Sequence, residues 1–278
     1  MTIFYPDISA FQVGLPLDGA LAVVAKVTEG ANWVSSEYPA QKAEAARVGA
    51  VFVAYHFLRA GNAAAQAAWA HQHTGAVPLM VDFEPEVGSS PTLADCCAFT
   101  DAYRALGGTV HLAYLPRWYW AQLGSPSLQP LLDRRMILVS SAYTGYTDAA
   151  TGTGWQPYGG MTPTIWQYTD NLVFNGQAVD FNAYRGSAYA GKEDPASVAA
   201  TVAELRSLAE YGQIHPPLPA PPAGPFRHVL RLDQTVATFA ASRNTSALSM
   251  LARSIPLWTA ADKALIIAGQ MVVYTVNP

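Results

Sequence analysis

A run of apolar residues beginning at Val77 ends in Asp82-Phe83-Glu84-Pro85, so two carboxylates sit at alternate positions on what reads as a buried β-strand. Residues two apart on a strand share one face. Burying two unpaired carboxylates costs several kcal/mol each, so this pair belongs at an open strand end or beside dedicated partners. Two such groups do not ionise together easily; one holds its proton towards neutral pH while its neighbour stays charged. Glycoside hydrolysis needs that division, with one carboxyl to protonate the leaving oxygen and another to meet positive charge at the sugar. Taken alone, the pair also fits a helix N-cap or a salt-bridged pair on a loop.

Two further acids stand at strand ends. Asp7 follows Tyr5-Pro6, and Asp180 lies in Ala178-Val179-Asp180-Phe181-Asn182. Asp7 also suits an Asx-turn after Pro6, and Asp180 a turn or cap with Asn182. If the strands close into a barrel, all four carboxylates meet on one rim. Tyr55, Tyr114, Tyr143 and Trp166 also fall at strand ends, where an aromatic face can pack on a sugar ring or simply fill the core. His56 and the other histidines show no metal-ligand arrangement, and His71 and His73, two apart on a helix, do not share a face. Neither a metal nor an organic cofactor is implied.

Positioning these groups requires a particular set of elements. Short apolar runs at 23–27, 51–57, 77–83, 110–114, 137–139, 165–168 and 179–182 read as strands, and 39–48, 63–74 and 93–106 as helices stopped by Gly49, Gly75 and Gly107. Strands alternating with helices imply βα units and a mainly parallel sheet, whose carboxyl-terminal strand ends form the rim of a site. A helix is expected over 196–211. The segment 215–225, with six prolines, can form neither helix nor central strand and reads as an extended tether. Beyond it, 226–278 reads as strand (228–232), helix (235–242), helix (247–253) and strand (271–276). The expected organisation is a catalytic domain over 1–191, a helix and Pro-rich connection over 192–225, and a small domain over 226–278.

Composition narrows the function classes. Of 278 residues, 51% are hydrophobic and 13% charged, with a net charge of −4 and no basic run, which points away from disorder and from nucleic acid as a partner. No apolar stretch is long enough to span a bilayer, so membrane insertion is not expected. Residues 1–5 lack a basic segment followed by an apolar one, so no secretory signal is expected. Cys96 and Cys97 are adjacent and read as free thiols.

Motifs along 3–187 together resemble the glycoside hydrolase 25 (Chalaropsis-type) lysozymes. Asp7-Ile8-Ser9 is similar to that family's D-x-S start and Val24-Ala25-Lys26-Val27-Thr28-Glu29-Gly30 to its I-K-A-T-E-G strand. Ala45-Ala46-Arg47-Val48-Gly49 and Val53-Ala54-Tyr55-His56-Phe57 are similar to A-x-x-A-G and G-A-Y-H-F. Asp82-Phe83-Glu84 is similar to D-x-E, Trp166-Gln167-Tyr168-Thr169 to W-Q-Y-T, and Val179-Asp180-Phe181-Asn182 to V-D-x-N. The resemblance implies an irregular, flattened β/α barrel that cleaves the β-1,4 bond between N-acetylmuramic acid and N-acetylglucosamine in bacterial peptidoglycan. It implies Glu84 as proton donor, Asp82 as the carboxylate that stabilises the oxocarbenium-like centre or orients the 2-acetamido group, and Asp7 and Asp180 as support. By the same carry-over, Tyr55, Tyr114, Tyr143, Trp166 and Gln167 are expected to bind substrate. The 226–278 region resembles a LysM glycan-binding module through Asp233-Gln234-Thr235-Val236-Ala237-Thr238-Phe239-Ala240. A wall substrate without a leader suggests a phage-type endolysin that stays in the host cytoplasm until release. The rival readings are a catalytically silent glycan-binding protein and a chitinase-like hydrolase.

Overall fold

The computed structural model describes residues 2–147, 149, 151–186, 195–212, 226–230 and 272–276, in two compact units, Met1–His215 and Pro216–Pro278. In the first, β1 (Thr2–Ile8), β2 (Ala22–Glu29), β4 (Val51–Phe57), β5 (Leu79–Asp82), β6 (Val110–Tyr114), β7 (Ile137–Ser141) and β8 (Ile165–Phe174) pair in parallel in that order, with β3 (Trp33–Val34) a short antiparallel addition to β2. β9 (Gln177–Arg185) runs antiparallel between β8 and β1 and closes the sheet into an eight-stranded barrel. The expected mixed α/β barrel is therefore present. Its irregularity lies in that reversed strand and in two connections that, among the described residues, have no α-helix: β1 reaches β2 through a loop, and β7 reaches β8 with one short 3-10 turn, Thr153–Trp155.

Two-residue alternation divides each strand between two layers. Along β5, Met80 and Asp82 point into the barrel, while Leu79, Val81 and Phe83 point out and are fully buried beneath the surrounding helices. Outward residues such as Val23, Ala25 and Leu138 join Tyr38 and Ala45 of α1 (Tyr38–Val48), Ala67 and Ala70 of α2 (Ala63–Thr74) and Phe99 and Tyr103 of α3 (Leu93–Ala105) in one cluster. Gly49 ends α1 in the left-handed region at φ 76°, as the stop signal predicts. α3 begins with a reciprocal capping box between Thr92 and Asp95, and Asp95 also accepts from the Gly61 N–H at 3.1 Å. That contact fixes the start of α3 to the loop after β4, so the segment carrying Glu84 is held at both ends.

Inside the barrel, Ile3, Ala22, Val24, Val51, Val53, Leu112, Ile165 and Tyr184 fill the end where most strands begin. The last helix of this unit, Pro195–Tyr211, adds Leu205, Leu208 and Ala209 to that cluster and touches β1, β4 and β6. Two shorter helices, Arg117–Gln122 and Gln129–Asp133, precede it, making it α6. The helix expected between 192 and 225 is α6, and it forms the floor of the barrel, because seven strand starts and the end of β9 leave an apolar mouth that its buried face covers.

In the second unit, strands Phe226–Leu230 and Val272–Val276 pair antiparallel, close to the first and last strands expected there. The helices expected between them, and the Pro-rich segment, lie outside the described residues. Cys96 and Cys97 are buried free thiols. Among the described residues, no helix is long and apolar enough to cross a membrane.

Candidate active site

The opposite mouth of the barrel, where the parallel strands end, holds a cavity of about 530 Å³ lined by six carboxylic side chains: Asp7, Glu29, Asp82, Glu84, Glu86 and Asp180. Each arrives by strand register. Asp82 ends β5, and Glu84 follows two residues later on the same face. Asp7 lies near the end of β1 and is paired directly with Asp180, which comes early in β9 because β9 runs the other way. The four acids expected to converge do so. Asp7 and Asp82 are buried, at 8% and 7% exposure, whereas Glu84 and Asp180 are half-buried at the edge.

Among the described residues, Lys26 is the one basic side chain lining this cavity. Its Nζ lies 2.6 Å from Glu29 Oε2 and sits over the rings of Trp33 and Phe57, at 5.0 and 4.5 Å from their centroids. A register shift between Lys26 and Thr28 turns Glu29 into the cavity and Thr28 outward, where its hydroxyl meets His56 Nδ1 at 2.9 Å. Arg59 binds Glu29 from the other side. His56 is fully buried, bonded to Gln66 and stacked on Phe99, which makes it a tie between β2, β4, α2 and α3. No cluster of metal-ligating side chains occurs among the described residues.

Burial and mutual repulsion hold all four carboxyls above their ordinary range. Glu84 is pushed up to about 7, first by burial and then by Asp180, with Lys26 opposing. Asp180 rises to about 6 through burial and Asp170. Asp82 is raised well above the usual range by burial, Glu84 and Asp7, and Asp7 by burial and Asp180. Both acids of the pair are raised, where only one was expected to be, because a single lysine shared with Glu29 offsets little of their burial and mutual repulsion. Glu29 itself lies below its usual value, since its bonds to Lys26 and Arg59 outweigh its own burial. Asp82 Oδ1 is buried with no hydrogen-bond partner among the described residues.

Tyr55, Tyr114, Tyr143 and Gln167, the residues expected to bind substrate, all line the cavity. Trp166 does not. It is fully buried on the outer face of β8 against Trp155 and Ala183, with its indole N–H donating to the Ala142 carbonyl at 2.9 Å. Ile165 and Gln167 point inward, so the residue between them must point outward. There it anchors the 142–164 loop: a Cβ on Gly154 would fall 2.1 Å from the Trp166 ring, so only glycine admits this approach. Lys26, Glu29 and Asn182 were quoted only as motif letters and carry contacts in the site. The signal for Lys26 was a lone cation on the inward face of an otherwise apolar strand. Trp33 and Glu86 on the rim had no comparable signal in the sequence.

Solved structures share this fold. A family GH25 lysozyme from Aspergillus fumigatus superposes with a TM-score of 0.58 at 22% identity, covering 76% of this chain and 100% of that one. A muramidase from Trichobolus zukalii gives 0.57 at 22%, covering 74% and 98%, and a bacterial lysozyme from Streptomyces coelicolor 0.57 at 22%, covering 72% and 97%. Among curated proteins none matches. The family model for glycosyl hydrolases family 25 matches residues 7–177, more than half of the chain, from the first acid of the cluster through Asp82, Glu84 and Gln167. By that match and the barrel that carries it, the chain belongs to glycosyl hydrolases family 25.

Proposed function

We propose that the protein is an N-acetylmuramidase that cleaves the β-1,4 bond between N-acetylmuramic acid and N-acetylglucosamine in bacterial peptidoglycan. The observation that carries this reading is the convergence of Asp7, Asp82, Glu84 and Asp180 on one cavity, within a family of glycosyl hydrolases. Glu84 is the general acid: it sits at the cavity edge and keeps its proton to about pH 7, so it can protonate the leaving oxygen. Asp82 lies two residues before Glu84 on the same face and lines the cavity, suited to accept the N–H of a 2-acetamido group and to meet positive charge as the glycosidic bond breaks. Asp7 and Asp180 complete the charge network, and Tyr55, Tyr114 and Tyr143 form the sugar-facing wall. Net retention through participation of the acetamido group fits these roles.

A narrower reading makes the chain a phage-type endolysin, held in the host cytoplasm until release, whose second unit binds the wall. It is supported by the LysM-like segments in 226–278 and by the Pro-rich segment before them. The four-acid cavity favours turnover over a silent binding role, since binding alone does not require such a concentration of costly buried acids.

The test is a digest of purified peptidoglycan followed by borohydride reduction and mass spectrometry. Reduced muramic acid ends are expected. Reduced N-acetylglucosamine ends would reassign the bond, cleavage of plain N-acetylglucosamine chains would favour the chitinase-like reading, and binding without new ends would favour a silent one.

A further inference from the structure

Gln167 is 4% exposed, yet its side-chain amide connects three parts of the cavity wall. Its Oε1 accepts from the hydroxyl of Tyr114, at the end of β6, at 2.8 Å, and from that of Tyr143, in the loop after β7, at 2.7 Å. Its Nε2 donates to Asp7 Oδ2 on β1 at 3.2 Å, and Asn182 Nδ2 donates to the same oxygen at 3.3 Å. An amide oxygen has two acceptor directions, and two phenols fill them. The opposite placing of the amide would set its carbonyl against the carboxyl oxygen that Asn182 already holds as an acceptor. One arrangement therefore gives Gln167, Tyr114, Tyr143 and Asp7 compatible donor and acceptor roles.

A phenol has one proton to give. With both protons directed to Gln167, Tyr114 and Tyr143 offer acceptor lone pairs to their other neighbours, which are Ser141, each other and whatever enters the cavity. Asp7, with Oδ2 occupied by two amides, can carry a proton only on Oδ1. We propose that Gln167 is a positioning residue: it fixes the Asp7 carboxyl and turns Tyr114 and Tyr143 into acceptors toward their other neighbours, without binding the sugar itself. This rests on the muramidase reading above, and it reassigns a residue first expected to touch substrate.

The groups facing Asp7 are Asp180 across the ladder from β9, Asp82 and Glu84 from the end of β5, Tyr55 from β4 and Tyr5 on its own strand, while Lys26 of β2 acts on Asp82 and Glu84. Gln167→Glu keeps the acceptor for both phenols but meets Asp7 with an oxygen instead of an N–H. One proton must then be shared between the introduced carboxyl and Asp7 Oδ2, freed of one of its two amides, to preserve the contact. By carbon-13 NMR of the full-length chain, the Asp7 carboxyl is expected to titrate about one unit or more higher in Gln167→Glu than in wild type. On soluble peptidoglycan fragments kcat should fall at least about tenfold, with KM within about threefold. A raised KM with unchanged kcat would mean that Gln167 binds the sugar directly, and an unmoved Asp7 titration would remove the positioning role; either overturns the proposal.

Should Gln167→Glu fail to fold, Tyr143→Phe at the exposed end of the network removes one donor to Oε1. It should move Asp7 in the same direction by less, and an unmoved Asp7 there would again overturn the proposal. Wild-type protein that makes no new ends on any wall would defeat the muramidase reading alone, because the Asp7 titration would still decide the network.

Discussion

Glu84 holds its proton to about pH 7 because it shares a half-buried rim with Asp180 and has only a shared lysine to offset them. Two consequences follow from that one shift. As the acid, Glu84 must be protonated to act, so turnover should fall as pH rises through about 7, measurable as the alkaline limb of the rate profile. For stability, a carboxyl whose folded value exceeds its unfolded one binds more protons in the native state, so stability is lost as pH rises from the ordinary glutamate range through about 7. Glu84→Gln should therefore raise the melting temperature at pH 8 and leave it nearly unchanged at pH 4; equal shifts at both pH values would contradict this origin. At the residue scale the site acids were legible because carboxylates at strand ends are costly and so conspicuous. Trp166 was misplaced because a motif letter carries no face, although alternation with Gln167 supplies one.

The elements divide into those whose signals are local and those set by distant partners. Strands β2, β4, β6 and β7 and helices α1 to α3 follow from short apolar runs and glycine stops, and the structure places them within a few residues of expectation. The reversed direction of β9 was not legible, since a strand's sequence carries its faces but not its sense. Nor was the role of α6, whose partners are residues at the starts of separate strands, far apart in sequence. Leu208 is buried against that floor, so Leu208→Ala should cost about 2–5 kcal/mol in urea unfolding of the first unit. Its rate on soluble fragments at low temperature should be nearly that of wild type, because the floor and the cavity lie at opposite mouths. A wild-type unfolding midpoint would mean that α6 merely rests on the barrel.

At the scale of the molecule, the Pro-rich segment marked the change from one unit to the next, and the contact boundary at His215 lies at its start. The barrel was legible as alternating elements, and its closure came into view only through pairing of β1 with both β2 and β9. If the second unit holds the enzyme to its polymer, deletion of 216–278 should leave kcat/KM on soluble fragments unchanged and lower the rate on insoluble wall at least about tenfold, the loss expected when an intramolecular encounter becomes a bimolecular one. Equal losses on both substrates would instead give that unit a part in the barrel's stability.

The most direct test of the central claim, that the carboxylate rim is a hydrolytic centre with Glu84 as its acid, is the rate of new reducing-end formation from purified peptidoglycan by wild type and Glu84→Gln, side by side at pH 6. Turnover by the wild type and a loss of about 10²- to 10⁴-fold in the variant, with its fold retained, are expected. Comparable turnover by the two proteins would contradict the claim.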